Sequence, residues 1–163
     1  MKQELARDWM TREVVVVAPE TTLPEAHRLM NDNQIRRLPV VKDGQLVGIV
    51  THGDVRGAAA SDATSLSIWE LQYLIAKIEV KEIMTPDPII ISHDATIGEA
   101  AQVMLDYKIS GLPVVDSDGK LVGIITESDI FRIVVQDWSE LQSEGQTPGL
   151  RHETVIMGAS PTL

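Results

Sequence analysis

The chain has 163 residues, 24 acidic and 14 basic side chains, a formal net charge of -10 and no cysteine. A negative field of this size repels phosphate backbones, so nucleic acid is not an expected partner, and without cysteine there is neither a disulfide framework nor a thiolate-bound zinc. Because residues 1–10 lack the apolar segment of a signal peptide and no apolar run is long enough to span a bilayer, we expect a cytoplasmic protein without membrane contact.

An internal duplication organises the sequence. Its offset is 74 residues and becomes 75 after one inserted residue, and about 20 of 48 aligned positions are identical. Two copies that each lack a complete core should pack against each other. The best-matching segments are 9–11 with 83–85, 22–26 with 96–100, 37–41 with 111–115, and 48–54 with 123–129.

Each copy predicts the same order of elements, β-α-β-β-α. A short β-branched run predicts a buried strand, and a Thr-x-x-Glu capping box with helical spacing predicts the first helix. Two strands joined by an Asp-Gly turn then predict a hairpin, and a second short helix follows. These elements fall at 14–17, 22–32, 38–41, 45–50 and from His52 in the first copy, and at 89–91, 96–107, 112–115, 120–125 and from Glu127 in the second.

The segments outside the two copies carry weaker signals. Residues 56–62 are small and polar and predict a loop, and residues from Ser139 predict an extended or partly disordered tail. Helical periodicity over 67–78, with Ser65 or Ser67 as the N-cap, predicts a linker helix that covers a core. The alternative is a dimer contact, because Leu66, Trp69 and Tyr73 add apolar area. The predicted domains are 1–60, 81–138, a linker at 61–80 and a tail at 139–163.

Both copies end their last strand with Gly-x-x-Thr-x-x-Asp. The motif consists of Gly48, Thr51 and Asp54, and it recurs 75 residues later. A carboxylate can accept both hydroxyls of a ribose, a helix N-terminus can bind phosphate, and the glycine leaves room for a ligand or another strand. The alternative is a capping box in which the threonine and aspartate only cap the helix. On spacing alone, this alternative is favoured.

These motifs resemble those of a pair of cystathionine β-synthase (CBS) domains, also called a Bateman module. The resemblance rests on Met-Thr before the first strand, Leu-Pro-Val-Val before the hairpin turn, and Leu-Val-Gly-Ile-[Val/Ile]-Thr-x-x-Asp, and it covers most of the chain. It implies an α+β fold in which two β-α-β-β-α repeats pack through their sheets with pseudo-twofold symmetry. It also implies two clefts that bind AMP, ADP, ATP or S-adenosylmethionine.

The resemblance assigns candidate ligand residues in both copies. The motif aspartate would hold the ribose, the threonine would lie by the ribose or phosphate, the residues around Leu-Pro would approach the base, and the start of the first strand would close the cleft. The first-copy candidates are Thr11, Val14, Val15, Arg36, Arg37, Leu38, Pro39, Thr51, His52, Gly53 and Asp54. The second-copy candidates are Thr85, Pro88, Ile89, Ser110, Gly111, Leu112, Pro113, Thr126, Ser128, Asp129 and Arg132.

The copies differ in charge where phosphate would lie. Residues 1–60 are neutral overall, and the whole charge of -10 falls on residues 61–163. Because arginine suits phosphate better than serine or glutamate does, we expect polyphosphate to prefer the first-copy cleft. A solvated loop is the alternative for the two adjacent arginines. The first copy offers Arg36, Arg37, His52 and Arg56, and the second offers Ser110, Gly111, Glu127 and Arg132.

These observations favour a stand-alone regulatory module that senses adenine nucleotides. The sequence shows no nucleophile–base pair and no metal-ligand spacing among its four histidines, so we expect neither an enzyme nor a metal site nor a required cofactor. The expected partners are an adenosine-containing small molecule as regulatory ligand, a second copy in a homodimer and an unidentified protein target. The alternative is a ligand-independent dimerisation or adaptor protein.

Overall fold

The computed structural model describes residues 4–61 and 68–143. These residues form two three-stranded sheets with helices, which confirms the α+β class. The helices are α1 (Ala6–Trp9), α2 (Leu23–Asp32), α3 (His52–Ser61), α4 (Ile68–Ile75), α5 (Val80–Ile83), α6 (Ile97–Tyr107) and α7 (Glu127–Ser143). The strands are β1 (Arg37–Lys42), β2 (Gln45–Thr51), β3 (Thr85–Pro86), β4 (Ile91–Ser92), β5 (Gly111–Val115) and β6 (Leu121–Thr126).

The chain divides into two compact units. The first, residues 1–130, contains both sheets, and the second, residues 131–163, contains most of α7 in its described part. The domain boundaries expected from the repeat stay a prediction.

Each repeat contributes an antiparallel hairpin to its own sheet. The sheet orders are β1-β2-β3 and β4-β5-β6, and Leu38 pairs with Val50 as Leu112 pairs with Ile125. All four of these side chains are fully buried. The apolar alternation of the hairpins therefore builds two separate cores, and both predicted hairpins are confirmed.

The inserted residue of the second repeat lies in its hairpin turn. In the first repeat Asp43 and Gly44 have φ angles of 50° and 78°, the left-handed pair that a two-residue turn requires. The second turn is longer, and the Asp116 carboxylate accepts hydrogen bonds from the N–H groups of Asp118 (3.0 Å) and Lys120 (2.9 Å). The insertion therefore changes the turn and leaves the pairing of the strands intact.

The first segment of each repeat pairs with the sheet of the other repeat. Thr11 exchanges backbone hydrogen bonds of 2.9 and 3.0 Å with Ile124 in β6, and Thr85 pairs with Ile49 in β2. The short helices that precede these threonines, α1 and α5, cross in the same way. Ala6 is buried in the second core, and Val80, from α5, is buried in the first. The reciprocal exchange joins the two repeats through their sheets, as the pseudo-twofold arrangement implies.

The motif glycines make room for this exchange. A Cβ at Gly48 would lie 2.5 Å from the Met84 sulfur, and a Cβ at Gly123 would lie 2.8 Å from Cγ of Met10. Carbonyl oxygens of the crossing chain lie within 3.2 Å of both positions. Of the two sequence interpretations of these glycines, the approach of another strand is confirmed.

The first predicted strand of each repeat is mostly wrong. Only Val17 of residues 14–17 bridges the sheet, in parallel with Val40, and β4 is limited to Ile91–Ser92. Val16 and Ile90 are 42% and 47% exposed. Each run follows the segment that pairs with the other repeat, and only its last part reaches its own sheet. The run is therefore a crossing segment rather than a buried strand.

The helix limits also differ from the prediction. Residues 56–61, expected in a loop, continue α3, because alanine favours helix strongly. Residues 139–143, expected in the tail, continue α7, so this helix is not short. The rest of the tail and the serines proposed as N-cap of the linker helix lie outside the described residues. The linker helix α4 ends at Ile75, three residues before the predicted end. Ile75 and, beyond the helix, Ile78 pack on the first core, which supports the covering role of this segment.

The two predicted Thr-x-x-Glu boxes have different outcomes. Thr96 caps α6, since its hydroxyl accepts from the Glu99 N–H at 3.2 Å while its own N–H donates to the Glu99 carboxylate at 2.7 Å. The Thr96 N–H and hydroxyl both donate to the Glu99 carboxylate, and these two bonds lower the pKa of Glu99. The Thr22 side chain makes no hydrogen bond to the start of α2, so the capping box predicted there is wrong. Pro24 lies near the start of this helix and has no N–H group, so one fewer amide needs a capping partner.

Within the described ranges, no helix combines the length and the apolar character needed to cross a membrane.

Candidate functional site

A cavity of about 610 Å³ opens at the junction of β2 and α3. Strand β2 ends at Thr51, and the same residue caps helix α3, which begins at His52. The end of the strand and the start of the helix therefore lie at the same corner of the fold. Its walls come from the start of β1, the first turns of α3, and one residue just before β5. The lining residues are Arg36, Arg37, Thr51, His52, Gly53, Arg56, Gly57 and Ser110.

Thr51 and Asp54 form a capping box at this corner. The Thr51 N–H and hydroxyl both donate to Oδ2 of Asp54 at 2.7 Å, and the Asp54 N–H donates to the Thr51 hydroxyl at 3.3 Å. The capping interpretation of the motif is therefore confirmed. The capping box uses only one of the two carboxylate oxygens of Asp54. Among the described residues, no hydrogen bond is made to the other oxygen, Oδ1.

The second copy of the motif repeats the two bonds from the threonine to the carboxylate. The Thr126 N–H and hydroxyl donate to Oδ2 of Asp129 at 2.8 and 2.7 Å. Asp129 is only 4% exposed. The two boxes hold both aspartates in one fixed orientation at equivalent helix starts.

The amides at the start of α3 are largely engaged. The His52 N–H donates to the Arg36 carbonyl at 2.8 Å, and the amides of Thr51 and Asp54 belong to the capping box. For the exposed Gly53, the described ranges contain no recorded acceptor. A phosphate at this helix start could therefore accept a hydrogen bond from the Gly53 amide, but not from the several amides that the sequence predicted.

Three guanidinium groups line the cavity, and no acidic side chain does. Neither Arg36 nor Arg56 forms a recorded ion pair within residues 4–61 and 68–143. Burial, and then the like charge of Arg36, lower the pKa of Arg37, while Glu127 and Asp129 act in the opposite direction. Since neighbouring like charges repel, an anion in this cavity would relieve an unfavourable arrangement.

Arg37 also contacts the second repeat. Its Nη2 donates a hydrogen bond to the Ser110 hydroxyl, 73 positions away in sequence. The guanidinium lies over Gly111, where an added Cβ would be 2.8 Å from Cζ of Arg37. The first cleft is thus closed on one side by a contact between the repeats.

A smaller side pocket of about 350 Å³ adjoins the cavity, since the two share Arg36 and His52. The sequence did not indicate it, because the end of α2 supplies its other walls. These walls mix apolar side chains with two amides. The remaining lining residues are Met30, Asn31, Gln34 and Ile35.

Comparison with known proteins identifies this architecture. The family model of the CBS domain matches residues 6–61 and again residues 80–136. The chain belongs to the CBS domain family. The two matches coincide with the two repeats, so the chain carries a CBS pair.

Several relatives of this CBS pair are curated or solved. The chain is 35% identical to CBSX1, a chloroplastic CBS domain-containing protein of Arabidopsis thaliana, over 79% of this chain and 63% of that protein. It is 36% identical to inosine-5'-monophosphate dehydrogenase of Korarchaeum cryptofilum, over 86% of this chain but only 26% of the enzyme. The chain therefore corresponds to about a quarter of the length of the enzyme and to somewhat less than two thirds of the length of CBSX1.

Two similar structures contain adenosine compounds. CBSX2 in complex with AMP has a TM-score of 0.68 and 34% identity, covering 83% of this chain and 98% of that one. The CBS pair of protein MJ0100 in complex with 5'-methylthioadenosine and S-adenosylmethionine has a TM-score of 0.70 and 30% identity, covering 82% and 97%.

Six of the candidate residues of the CBS pair line the first cavity together: Arg36, Arg37, Thr51, His52, Gly53 and Ser110. Arg56, weighed as a phosphate contact, joins them. Gly57 was missed; it lies four residues after Gly53, so helical spacing would have placed it on the same face.

The other candidates, Asp54 among them, are not lining residues of this cavity. Leu38, Pro39, Leu112 and Pro113 have fully buried side chains, so only their backbone could meet a ligand. Arg132 belongs to the second unit. Their roles stay predictions, as do those of the remaining candidates. Six of these lie in the segments at the start of the two repeats: Thr11, Val14, Val15, Thr85, Pro88 and Ile89. The other four lie in or near the second motif: Gly111, Thr126, Ser128 and Asp129.

The described histidines take different positions. His27 is exposed, and its ring lies 5.6 Å from that of His52, which is partly buried at the cavity. His93 is also partly buried, with Nε2 3.3 Å from the Asp94 carboxylate. Among described residues, no cluster of histidine and carboxylate side chains could hold a metal ion. Of these three histidines only His27 is exposed.

Proposed function

We propose that this CBS pair is a regulatory module that binds adenine nucleotides in its first-repeat cleft. The observation that carries the proposal is the cavity with three arginines beside the Thr51–Asp54 box. A volume of about 610 Å³ is in the range of small-molecule sites, which is about 300–1,000 Å³. No acidic side chain among the lining residues opposes an anion.

The box and the arginines suit different parts of a nucleotide. Asp54 is not a lining residue of the cavity, but it directly follows the lining residues His52 and Gly53. Its Oδ1 would accept the ribose hydroxyls, because Oδ2 is held by Thr51. The phosphates would lie toward Arg36 and Arg56, with the Gly53 amide as a further donor. Charge-assisted hydrogen bonds of this type contribute about 1.5–3 kcal/mol each. The polyphosphate preference of this cleft follows from the same charges.

The ligand class follows the similar structures. CBSX2 binds AMP, and the MJ0100 pair binds 5'-methylthioadenosine and S-adenosylmethionine. We propose AMP, ADP or ATP for the first cleft and retain S-adenosylmethionine as a candidate for the second. The compound acts as a regulatory ligand rather than as a cofactor, and the chain has no catalytic role of its own. The cytoplasmic location and the protein target stay predictions; CBSX1 is chloroplastic.

A thermal-shift screen with AMP, ADP, ATP, S-adenosylmethionine and NAD tests this function. A ligand at 100 times its Kd adds about 2.7 kcal/mol, which is roughly 5–10 °C in Tm for a chain of this size. We expect the wild type to show this shift with at least one adenine nucleotide. We expect Asp54→Ala to lower the ligand-free stability by about 1 kcal/mol and to lose most of the shift.

The Thr96–Glu99 box provides a matched control. It has nearly the same bond lengths as the Thr51–Asp54 box and also caps a helix, but Glu99 is not among the candidate ligand residues. Glu99→Ala should lower stability by a similar amount and keep the full ligand shift. If no adenosine compound shifts the wild type, or if Asp54→Ala retains the shift as Glu99→Ala does, the proposal is wrong.

Dimerisation is a second proposed role, in line with the homodimer expected from the sequence. In α7 the apolar side chains of Phe131, Val134, Val135 and Trp138 are 66%, 55%, 65% and 40% exposed. Their spacing places them along one face of the helix. An exposed apolar face of this kind is typical of an interaction surface. Sedimentation velocity should show a species of twice the chain mass that Val134→Asp converts to monomer; a monomeric wild type would contradict this.

A further inference from the structure

His52 lies where the first cavity and the side pocket meet. It lines both of them and is partly buried. The backbone N–H of His52 donates to the Arg36 carbonyl at 2.8 Å, so the start of α3 is held beside the residue that precedes β1. A molecule that enters either space therefore meets His52, and a substitution of the side chain leaves this backbone bond in place.

The titratable groups that the surrounding walls bring to His52 are basic. The cavity contributes the guanidinium groups of Arg36, Arg37 and Arg56. Helix α2 contributes a second imidazole, because the His27 ring lies 5.6 Å from the His52 ring at an angle of 44°. His52 is also the first residue of α3, where the positive end of the helix dipole disfavours a further cation. A proton on His52 therefore adds one more like charge to a positive wall.

The carboxylates near this wall offer little compensation. Among the described residues that line the two pockets, none is acidic. On α3 itself, Oδ2 of Asp54 accepts hydrogen bonds from Thr51. The carboxylates of the second repeat, Glu127 and Asp129, act on Arg37. A bound anion would supply the negative charge that a protonated His52 needs.

We propose that His52 couples anion binding in the first cavity to the uptake of a proton, so that the module binds a nucleotide polyphosphate more tightly as the pH falls. Histidine is the side chain whose charge ordinarily changes between about pH 5 and 8. A polyphosphate beside His52 stabilises the imidazolium, and the imidazolium stabilises the polyphosphate in return. The inference rests on the proposed function, because it presumes that the phosphates of a nucleotide lie in this cavity.

Proton uptake and affinity are linked by thermodynamics. If binding takes up a fraction of a proton, the logarithm of the affinity rises by that fraction for each unit by which the pH falls. An uptake of about half a proton thus makes the affinity about threefold higher per pH unit. Guanidinium groups stay charged throughout this range, so a site that holds phosphate with arginines alone shows no such uptake by the protein.

Calorimetric titration with ATP in buffers of different ionisation enthalpy measures the uptake. The slope of the observed binding enthalpy against the ionisation enthalpy of the buffer gives the protons taken up per ATP. Phosphate groups themselves titrate near about pH 6, so the readout is the difference between the wild type and His52→Gln. Near neutral pH we expect the wild type to take up about half a proton more than the variant. From about pH 8 to pH 6, its ATP affinity should rise about tenfold more.

His27→Gln is the matched control, because His27 is an exposed imidazole in ring contact with His52 that lines neither pocket. It should keep the proton uptake of the wild type. Arg28→Gln, which removes an exposed charge of α2 outside both pockets, should keep it as well. Adenosine has no phosphate, so it should bind the wild type and His52→Gln within about twofold and with equal proton uptake.

The possible failures of the coupling and of the function are distinguishable. If ATP binds and His52→Gln takes up as many protons as the wild type, the coupling is wrong while the nucleotide-binding function stands. The same conclusion follows if His27→Gln loses the uptake to the same extent as His52→Gln. If the wild-type chain binds no adenosine compound at all, the proposed function fails and the coupling with it.

Discussion

Arg36→Gln and Arg56→Gln should each weaken ATP binding by about tenfold, and the double variant by about a hundredfold. Both arginines line the first cavity, and neither has a recorded acidic partner within the described ranges. Each therefore has its charge available for a phosphate. Because both are exposed, we expect the lower end of the range for charge-assisted bonds, about 1.5 kcal/mol each.

Adenosine separates the phosphate effect from damage to the site. It lacks phosphate, so its affinity for the wild type and for both variants should agree within about twofold, while ATP affinity falls. ATP binding by the wild type should also weaken steeply with added salt, since exposed charges are screened. Arg28→Gln should leave the affinities for ATP and adenosine unchanged. Equal losses of both ligands would mean that the arginines shape the site rather than bind phosphate.

Gly48→Ala and Gly123→Ala should each destabilise the fold by about 1–3 kcal/mol. The added methyl groups would collide with the crossing segment of the other repeat, at Met84 and Met10 respectively. The methionine ends can move, but the backbone oxygens of Thr85 and Thr11, 3.2 and 3.1 Å away, are fixed by the pairing. Urea unfolding of the ligand-free chain measures the loss.

Gly57→Ala is the control for this substitution. Gly57 is exposed in α3, and an added Cβ would meet nothing within 4 Å. In a helix alanine is more favourable than glycine by roughly 0.5–1 kcal/mol, so this variant should gain stability. Combining Gly48→Ala with Met84→Ala should cost less than the sum of the two single changes, since the collision partner is gone. Strict additivity would contradict the crossing contact.

Local sequence signals predicted the parts of the fold that are built locally. The hairpins follow from strand alternation and an Asp-Gly turn within a few residues, and the capping box of Thr96 and Glu99 is complete within one helical turn. The corner formed by Thr51 and Asp54 was found for the same reason. In these places the residues that form the structure are close in sequence.

Local sequence signals could not predict that the first segment of each repeat pairs with the other repeat. The helices α1 and α5 are only four residues long, and their packing partners lie in the other repeat. The runs at 14–17 and 89–91 look like strands because they are β-branched, yet their course is set by where each segment crosses. No local pattern distinguishes the two.

The candidate site shows the same division. The arginines and the Thr-x-x-Asp motif could be assigned from the alignment of the repeats. The side pocket could not, because it depends on how the end of α2 packs against the start of α3. The reach of Arg37 to Ser110 spans 73 positions and is visible only in three dimensions. It is a contact between the two repeats on the wall of the first cavity.

A crystal structure of the chain grown with ATP would show directly whether the first cleft binds a nucleotide. We expect the nucleotide in the first cleft, with its ribose hydroxyls on Asp54 and its phosphates on Arg36 and Arg56. An empty first cleft at saturating ATP, or a nucleotide whose ribose lies away from Asp54, would contradict the account.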